Sequence, residues 1–433
     1  MRTYEKYKDS GISWIGKVPE DWERVRIKYG LSQSIAGVWG DEKKGDENDV
    51  VCYRMADFNY DKGILNLDNV TYRNILPQQL VGRMVKKGDL ILEKSGGGDL
   101  YPVGRVVRVN SDQKATCSNF AHTIATNDNI SSNFLYYYFF NLYSKGVSRL
   151  FFNQTTGIQN LKVGEYLSQD MYAPSKPEQE AIANYLDKKT AEIDKIIAER
   201  EKKIELLNEL KSSIISRAVT KGINPHAKMK DSGIDWIGEI PEDWEVTRGK
   251  YCFSVLYGFP FDSHLFYPSL EKGMPLLRIR DITSGNLATG YLGKYDEEYV
   301  IKSGDLLVGM DGDFNVRWWN GRNALLNQRC CKIMALKEMH LRYIYYALPF
   351  ELKVFNDLAY STTVKHLLNT DIANLCLPQP SYKEQEAIAN YLDKKTEEID
   401  KNISAIKKEC ILYKEYKQSL ISEVVTGKRK VID

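Results

Sequence analysis

Five stretches of this chain carry side chains suited to meeting phosphates or the edges of bases. Glu93-Lys94-Ser95-Gly96-Gly97-Gly98 sets a cation beside a glycine run over which backbone can approach a phosphate closely, although a plain hairpin turn has the same composition. Asn153, Gln154, Thr155 and Thr156 form a polar stretch able to touch bases or phosphates, or to lie in solvent. Arg317, Trp318, Trp319, Asn320 and Arg322 mix cations with aromatics, and Asn327, Gln328 and Arg329 follow at once. Thr362, Thr363, Lys365 and His366 make a second polar stretch, in which the lone histidine reads more simply as structural. The chemistry on offer is base recognition: in a major groove Arg and Lys suit guanine, and Asn and Gln suit adenine.

Catalytic chemistry is missing from the same text. There is no N/D-P-P-Y/F motif of an amino-methyltransferase and no G-x-x-x-x-G-K-[ST] phosphate loop. SGGGDLYPVG, from Ser95 to Gly104, is glycine-rich without the G-x-G-x-x-G spacing of a dinucleotide fingerprint. Asp89, Glu93 and Lys94 lack the spacer of a D…E-x-K nuclease site, and Asp311 with Asp313 is a loop pair that solvent ordinarily covers. No catalytic residue and no metal ligand is expected. Seven cysteines without a C-x-x-C pair support neither a zinc site nor a disulfide framework, and fit a reducing cytoplasm. A net charge of +2 over 433 residues does not advertise nucleic acid, so such binding has to come from local basic patches. The opening MRTYEKYKDSGISW has no signal-peptide core, and no apolar run reaches the roughly 18 residues of a membrane span, so no membrane partner is expected.

What positions the five stretches is a repeat. EQEAIANYLDKKTAEIDK, Glu178 to Lys195, returns as EQEAIANYLDKKTEEIDK, Glu384 to Lys401, with Ala191 replaced by Glu397. Each copy follows an S-x-x-E capping box, Ser175 with Glu178 and Ser381 with Glu384. Apolar residues then recur at spacings of three and four. Leu186, Ile193, Leu207 and Ile214 form one heptad row, with Ile182, Ile196 and Leu210 beside it. In the second copy the rows hold Leu392, Ile399, Ile406, Tyr413 and Leu420, with Ile388 and Tyr416. The pattern predicts two coiled-coil helices of roughly 40 residues, closed by Gly222 and Gly427. Copies related by a two-fold axis across the pair have to run antiparallel.

A second repeat introduces each half: DSGISWIGKVPEDWE, Asp9 to Glu23, and DSGIDWIGEIPEDWE, Asp231 to Glu245. Trp14, Trp22, Trp236 and Trp244 either anchor these loops on a neighbouring helix or present a docking surface to another protein. Between loop and helix lie diverged blocks with echoes in the same order. CYRMADF at Cys52 answers LLRIRDI at Leu276, KGDLILEKSGGG at Lys87 answers SGDLLVGMDGDF at Ser303, and FLYYYFF at Phe134 answers LRYIYYAL at Leu341. TTGIQNL from Thr155 matches STTVKHLL from Ser361. Shared positions such as Arg54 and Arg278, Asp57 and Asp281, Gly88-Asp89 and Gly304-Asp305 are expected to be scaffold. The expected fold is α+β: two similar mixed domains at 24–176 and 246–380, helices at 177–222 and 381–433, and tryptophan loops within 1–23 and 223–245.

With both motifs duplicated in this order, the whole chain resembles the specificity subunit of type I restriction-modification systems. The resemblance implies two target recognition domains separated by an antiparallel coiled coil, with a pseudo-two-fold repeat. It implies a non-catalytic subunit that reads a bipartite, asymmetric site in double-stranded DNA. It further implies two adenine methyltransferase subunits and restriction subunits as partners, which would carry the S-adenosylmethionine, ATP and Mg2+ that this chain does not. The alternatives are a coiled-coil scaffold without DNA specificity and a self-sufficient enzyme of unusual motif.

Overall fold

The computed structural model describes residues 3–155, 157–358 and 365–431. Two helices dominate it, Lys176–Lys221 and Tyr382–Val425, of 46 and 44 residues. The chain forms two compact units, the first of Met1–Arg200 with Lys408–Asp433, the second of Glu201–Lys407. Each unit therefore takes one end of each long helix. In the first, Ile182, Leu186 and Ile193 share a core with Leu420, Ile421 and Val424. In the second, Ala218 and Val219 share a core with Ile388 and Leu392. The start of one helix lies on the end of the other in both units, so the pair is antiparallel. The fold is α+β, two similar mixed domains carried by an antiparallel coiled coil.

The coiled-coil seam differs from expectation in one row. Leu186, Ile193, Leu207 and Ile214 are buried or half-buried as the heptad requires, but Ile196 is only half-buried and Leu210 is exposed. The second row runs instead through Thr190, Ile197, Ile204, Lys211 and Ala218, one residue further on. The other helix repeats the shift: Tyr416 is exposed, and Thr396, Ile403, Cys410, Lys417 and Val424 line the seam. Three polar residues of the true seam have partners. Tyr137 meets Thr190 at 3.2 Å, Arg200 meets Glu409 at 3.0 Å, and Lys211 meets Asp400.

Most of the verbatim repeat is explained by contacts each copy makes inside its own unit. Gln179 is buried; its Oε1 accepts from the Ser131 amide at 2.8 Å and its Nε2 donates to the Asn129 and Pro174 carbonyls. Gln385 does the same with the His340 amide and the Glu338 and Pro380 carbonyls. Asp187 accepts from Tyr137 and Arg108, both at 2.7 Å, while Asp393 accepts from Tyr346 and Arg342. The two arginines come from unrelated places, one ending the strand Val106–Arg108 and one opening the helix Leu341–Leu358. The capping boxes are incomplete. Ser381 Oγ accepts the Glu384 amide at 3.4 Å, but the Glu384 carboxylate is turned to Trp244 Nε1 at 3.1 Å, and that of Glu178 to the Tyr4 hydroxyl at 2.6 Å.

Each domain is built around a fully buried central strand, Leu90–Glu93 or Leu306–Gly309. It is flanked antiparallel by Ala121–Thr126 and Val106–Arg108 in the first unit, and by Cys330–Ala335 and Val316–Trp318 in the second. A second sheet holds a parallel pair in both, Ala115–Cys117 with Asp49–Tyr53 and Ala324–Leu326 with Met274–Leu277. The shared polar positions close turns: Asp57 and Asp281 cap the amides of Arg54 and Arg278, and Asp89 and Asp305 accept from the Lys86 and Lys302 amides. A tyrosine-rich helix, Ser132–Ser144 or Leu341–Leu358, joins each domain to its long helix.

The tryptophan loops settle at the helix ends. Gly222 and Gly427 take the left-handed conformation at φ +72° and +71°, and Trp244 and Trp22 respectively lie over them. Trp22 and Trp244 are 1% and 0% exposed. Of the four tryptophans read as either loop anchors or a docking surface, Trp22 and Trp244 are core residues that anchor their loops; Trp236 is partly exposed and Trp14 half-buried.

Candidate nucleic-acid interface

In the first unit the glycine stretch and the polar stretch, far apart in sequence, form one small sheet. Ser95–Gly96 pairs antiparallel with Ile158–Leu161, which is also the second arm of a hairpin with Phe152–Thr155. Lys94 opens this sheet: its amide donates to the Phe120 carbonyl at 2.9 Å, and its own carbonyl accepts the Leu161 amide at 2.8 Å. Asn153, Ile158 and Asn160 are exposed on one face of the hairpin; on the other, Gln159 holds the Val103 amide at 3.1 Å and donates at 3.4 Å to exposed Gln154 across from it. Ser95 is buried and its hydroxyl donates to Asn160 Oδ1 at 2.7 Å. Glu93, behind the sheet, is neutralised by Arg105 at 3.0 and 3.1 Å, which leaves it no nuclease role. Burial and the Lys94 ammonium push His122 down to about 4, so it adds no charge near neutrality.

The second unit lays out the same frame. The Met310 amide donates to the Arg329 carbonyl at 2.9 Å, and the Met310 carbonyl accepts the Leu367 amide at 2.8 Å. Asp311 bridges His366 as Ser95 bridges Asn160, and the Gly312 amide donates to the Lys365 carbonyl at 3.1 Å. Met310 thus stands where Lys94 stands, Asp311 for Ser95, Arg329 for Phe120 and His366 for Asn160. A close crossing holds each loop in place: Gly37 and Gly258 pass so near the carbonyls of Cys117 and Asn327 that a Cβ on either would strike them.

Several expected contact residues have structural work. Arg317 donates to the carbonyl of Ile282 and, at 2.8 Å, to that of Thr283, covering the end of the helix Ile279–Ser284. Trp318 lies under the Arg342 guanidinium at 4.5 Å and edge-on to Tyr345 at 5.9 Å. Buried Trp319 donates to the Arg322 carbonyl at 3.0 Å, closing a turn from which Asn320 and Arg322 project. Asn327 is buried, whereas Gln328 and Arg329 are exposed. Lys365 is half-buried and donates to the Asn356 carbonyl at 2.6 Å. Thr156, Thr362 and Thr363 lie outside the described residues, and Thr155 ends its strand. Composition singled out Arg317 and Trp318 because it records which side chains are present and not which way the strand turns them.

Phe120 and Asn160 belong to these faces and were not singled out, and Asp311, weighed only as half of a metal pair, belongs there too. The signal for them is the parallel strand register, which aligns Cys117 with Leu326 and so the loop after one with the loop after the other. Among the described residues no group of three or more His, Cys, Asp or Glu side chains is placed to hold a metal, and no helix is long and apolar enough to cross a membrane.

Residues 19–206 and 241–408 each match the model of the type I restriction modification DNA specificity domain. The type I restriction enzyme EcoBI specificity subunit of Escherichia coli is 35% identical over 199 residues, 46% of this chain and 42% of that protein. The chain thus spans under half of that relative, but the MjaVIII specificity subunit of Methanocaldococcus jannaschii is 26% identical over 96% of this chain and 94% of its own length. In fold, a chain from a structure of complex assembly and conformational transition in the type I R-M system superposes with a TM-score of 0.71, at 15% identity, over 94% of this chain and 98% of that one. The HsdS subunit from Thermoanaerobacter tengcongensis gives 0.52 at 16% identity, over 97% and 100%. With its domain matched twice and over most of its length, the chain belongs to the type I restriction modification DNA specificity family.

Proposed function

We propose that each domain of this specificity protein reads one half of a split, asymmetric DNA target, and that the antiparallel helices set the gap between the halves. Family membership makes the chain a recognition protein and not an enzyme, and sets aside a scaffold without DNA specificity. One observation supports the split reading above others: the same backbone frame occurs twice and presents Lys94, Phe120 and Asn160 in one copy but Arg329 and His366 in the other, where Met310 is buried in the place of Lys94. A protein reading one word twice would repeat its side chains there. The DNA-facing set is then Lys94, Gly96, Gly97, Asn153, Gln154 and Asn160 in the first domain, and Gln328 and Arg329 in the second; Asn320 and Arg322 lie at the Gly304 end of the central strand, away from Arg329, and Lys365 is taken up by the Asn356 carbonyl. Domains meeting one side of a duplex read words about one helical turn, roughly 34 Å, apart.

Two methyltransferase subunits dock on what the repeat leaves in solvent. Glu180, Asn184 and Lys188 recur as Glu386, Asn390 and Lys394, all exposed. A residue repeated without a burial role suits a partner met twice, and the exposed parts of Trp14 and Trp236 add to the surface. The methyltransferase would bring S-adenosylmethionine and flip the target adenine from the duplex; restriction subunits would bring ATP and Mg2+. The cytoplasm, where DNA lies and unpaired thiols persist, is the compartment this requires.

The test is to map methylated adenines in cells expressing the chain with its methyltransferase, then again after exchanging residues 246–380 for the matching block of a relative. A two-part motif with a constant gap, of which the exchange alters one part, is expected. A contiguous motif, or one altered in both parts, overturns the reading.

A further inference from the structure

Resting on that reading, we propose that Arg329, steered by Asp311 and His366, reads a guanine in the second domain's half-site, and that the same place in the first domain is shaped for an A·T pair. Arg329 NH1 lies 3.4 Å from Asp311 Oδ1, and the same oxygen lies 2.5 Å from His366 Nδ1. The arginine side chain is 53% exposed and the aspartate 22%, so the cation projects and its anchor is largely covered. His366 is also bridged to Asp311 across the strand pair, so backbone and side-chain contacts together fix the carboxylate that the guanidinium meets. Arg329 with Gln328 also rims a cleft of about 310 Å³ that Arg278 and Phe266 help to line.

A carboxylate on a surface that meets phosphates weakens binding to every sequence alike. Its compensation is direction. A guanidinium is a rigid fork of five donors, and an anion holding one edge aims the other, which is the geometry that pairs bidentately with guanine O6 and N7. In the first domain the corresponding residues carry no charge. Ser95 holds Asn160 through its Oδ1 at 2.7 Å, and exposed Phe120 stands where Arg329 stands. A carboxamide suits adenine N6 and N7, and a ring suits the thymine methyl beside it.

The experiment uses the chain assembled with its methyltransferase and a panel of duplexes that differ from the mapped target at single positions. For wild type, one G·C pair in one half-site should be strongly preferred. R329A and R329K should each lose about 10- to 100-fold of the discrimination at that pair; R329K keeps the charge and should keep the salt dependence of binding. D311N should lose part of the discrimination at the same pair, and N160A should relax an A·T pair in the other half-site only. R329A weakening all duplexes equally overturns the proposal, since Arg329 would then be a phosphate contact; so does a motif that R329A leaves unchanged. A wild-type complex with no motif at all overturns the proposed function, and this inference with it.

Discussion

Lys417 Nζ lies 2.7 Å from both carboxylate oxygens of Asp194, and Lys211 makes the same contact with Asp400 at 2.8 and 2.7 Å. The pairs are counterparts under the repeat, one in each unit, and each lysine fills a seam position that a coiled coil would ordinarily give to an apolar side chain. They are not equally buried: the side chains are 14% and 38% exposed in the first pair, 28% and 55% in the second. Solvent screening leaves an exposed pair worth little, while a covered carboxylate left unpaired is costly. Lys417→Ala should therefore cost about 1 to 2 kcal/mol in urea unfolding and Lys211→Ala about 0.5. Equal losses would show that burial does not separate the two pairs. Combining Lys417→Met with Asp194→Ala should recover most of the loss, because no buried charge is then orphaned.

The buried glutamines make a sharper prediction. Gln179 and Gln385 each satisfy three backbone groups, and an apolar replacement strands all three. Gln179→Leu and Gln385→Leu should each cost roughly 3 kcal/mol, several times the net worth of one hydrogen bond. Hydrogen exchange should show the lost protection confined to the Asn129–Ser131 turn for the first variant and the Glu338–His340 turn for the second. Protection unchanged at those amides would mean that the glutamines merely fill space.

These two sets of residues mark how far the sequence could be read. Helix pairing and direction followed from duplication alone, because two copies of one unit leave few ways to cover two seams. The row through Ile196 and Leu210 lies one residue off because Thr190 and Lys211 look unfit for a seam until Tyr137 and Asp400 are brought to them. The proposed DNA face is half legible. Lys94, Gln154 and Arg329 announce themselves by type, but the pairing of Ser95 with Asn160 is a tertiary contact between diverged segments, and neither residue is unusual by itself.

The tryptophans separate packing from docking. Trp22 and Trp244 fill cores at the ends of the long helices, so Trp22→Ala and Trp244→Ala should each cost about 3 to 5 kcal/mol and lower the melting temperature. Trp236 is 41% exposed but donates to the buried Glu351 carboxylate, so its removal should cost about 1 to 3 kcal/mol, while weakening methyltransferase association by about tenfold in titrations of the folded chain. Undiminished association in Trp236→Ala would remove that loop from the docking surface.

Glu351 gives the second unit a pH dependence opposite in sign to that of His122 in the first, whose lowered pKa costs stability as pH falls from 6.5 toward 4. It is 3% exposed in the tyrosine-rich helix, where Trp236 Nε1 donates to its carboxylate oxygens at 3.3 and 3.2 Å. Burial raises its pKa from 4.5 to about 7, against the opposing pull of the indole and the Cys376 amide. Tyr346 and Tyr137 occupy matching places on their helices, which sets Leu142 opposite Glu351, and Leu142 does not titrate. Between pH 4.5 and 7 the folded protein holds a proton that the unfolded chain has released. Stability is therefore highest at the acid side of that window and falls as pH rises through it, by on the order of 2 kcal/mol. Hydrogen exchange at residues 341–358, measured at pH 5 and pH 8, should show the loss in wild type, a local readout separate from the opposing contribution of His122 in the other unit. Glu351→Gln, which keeps an acceptor for the indole without the charge, should flatten the profile and be the more stable protein at pH 8. A profile that stays sloped in Glu351→Gln would assign the pH dependence to another group.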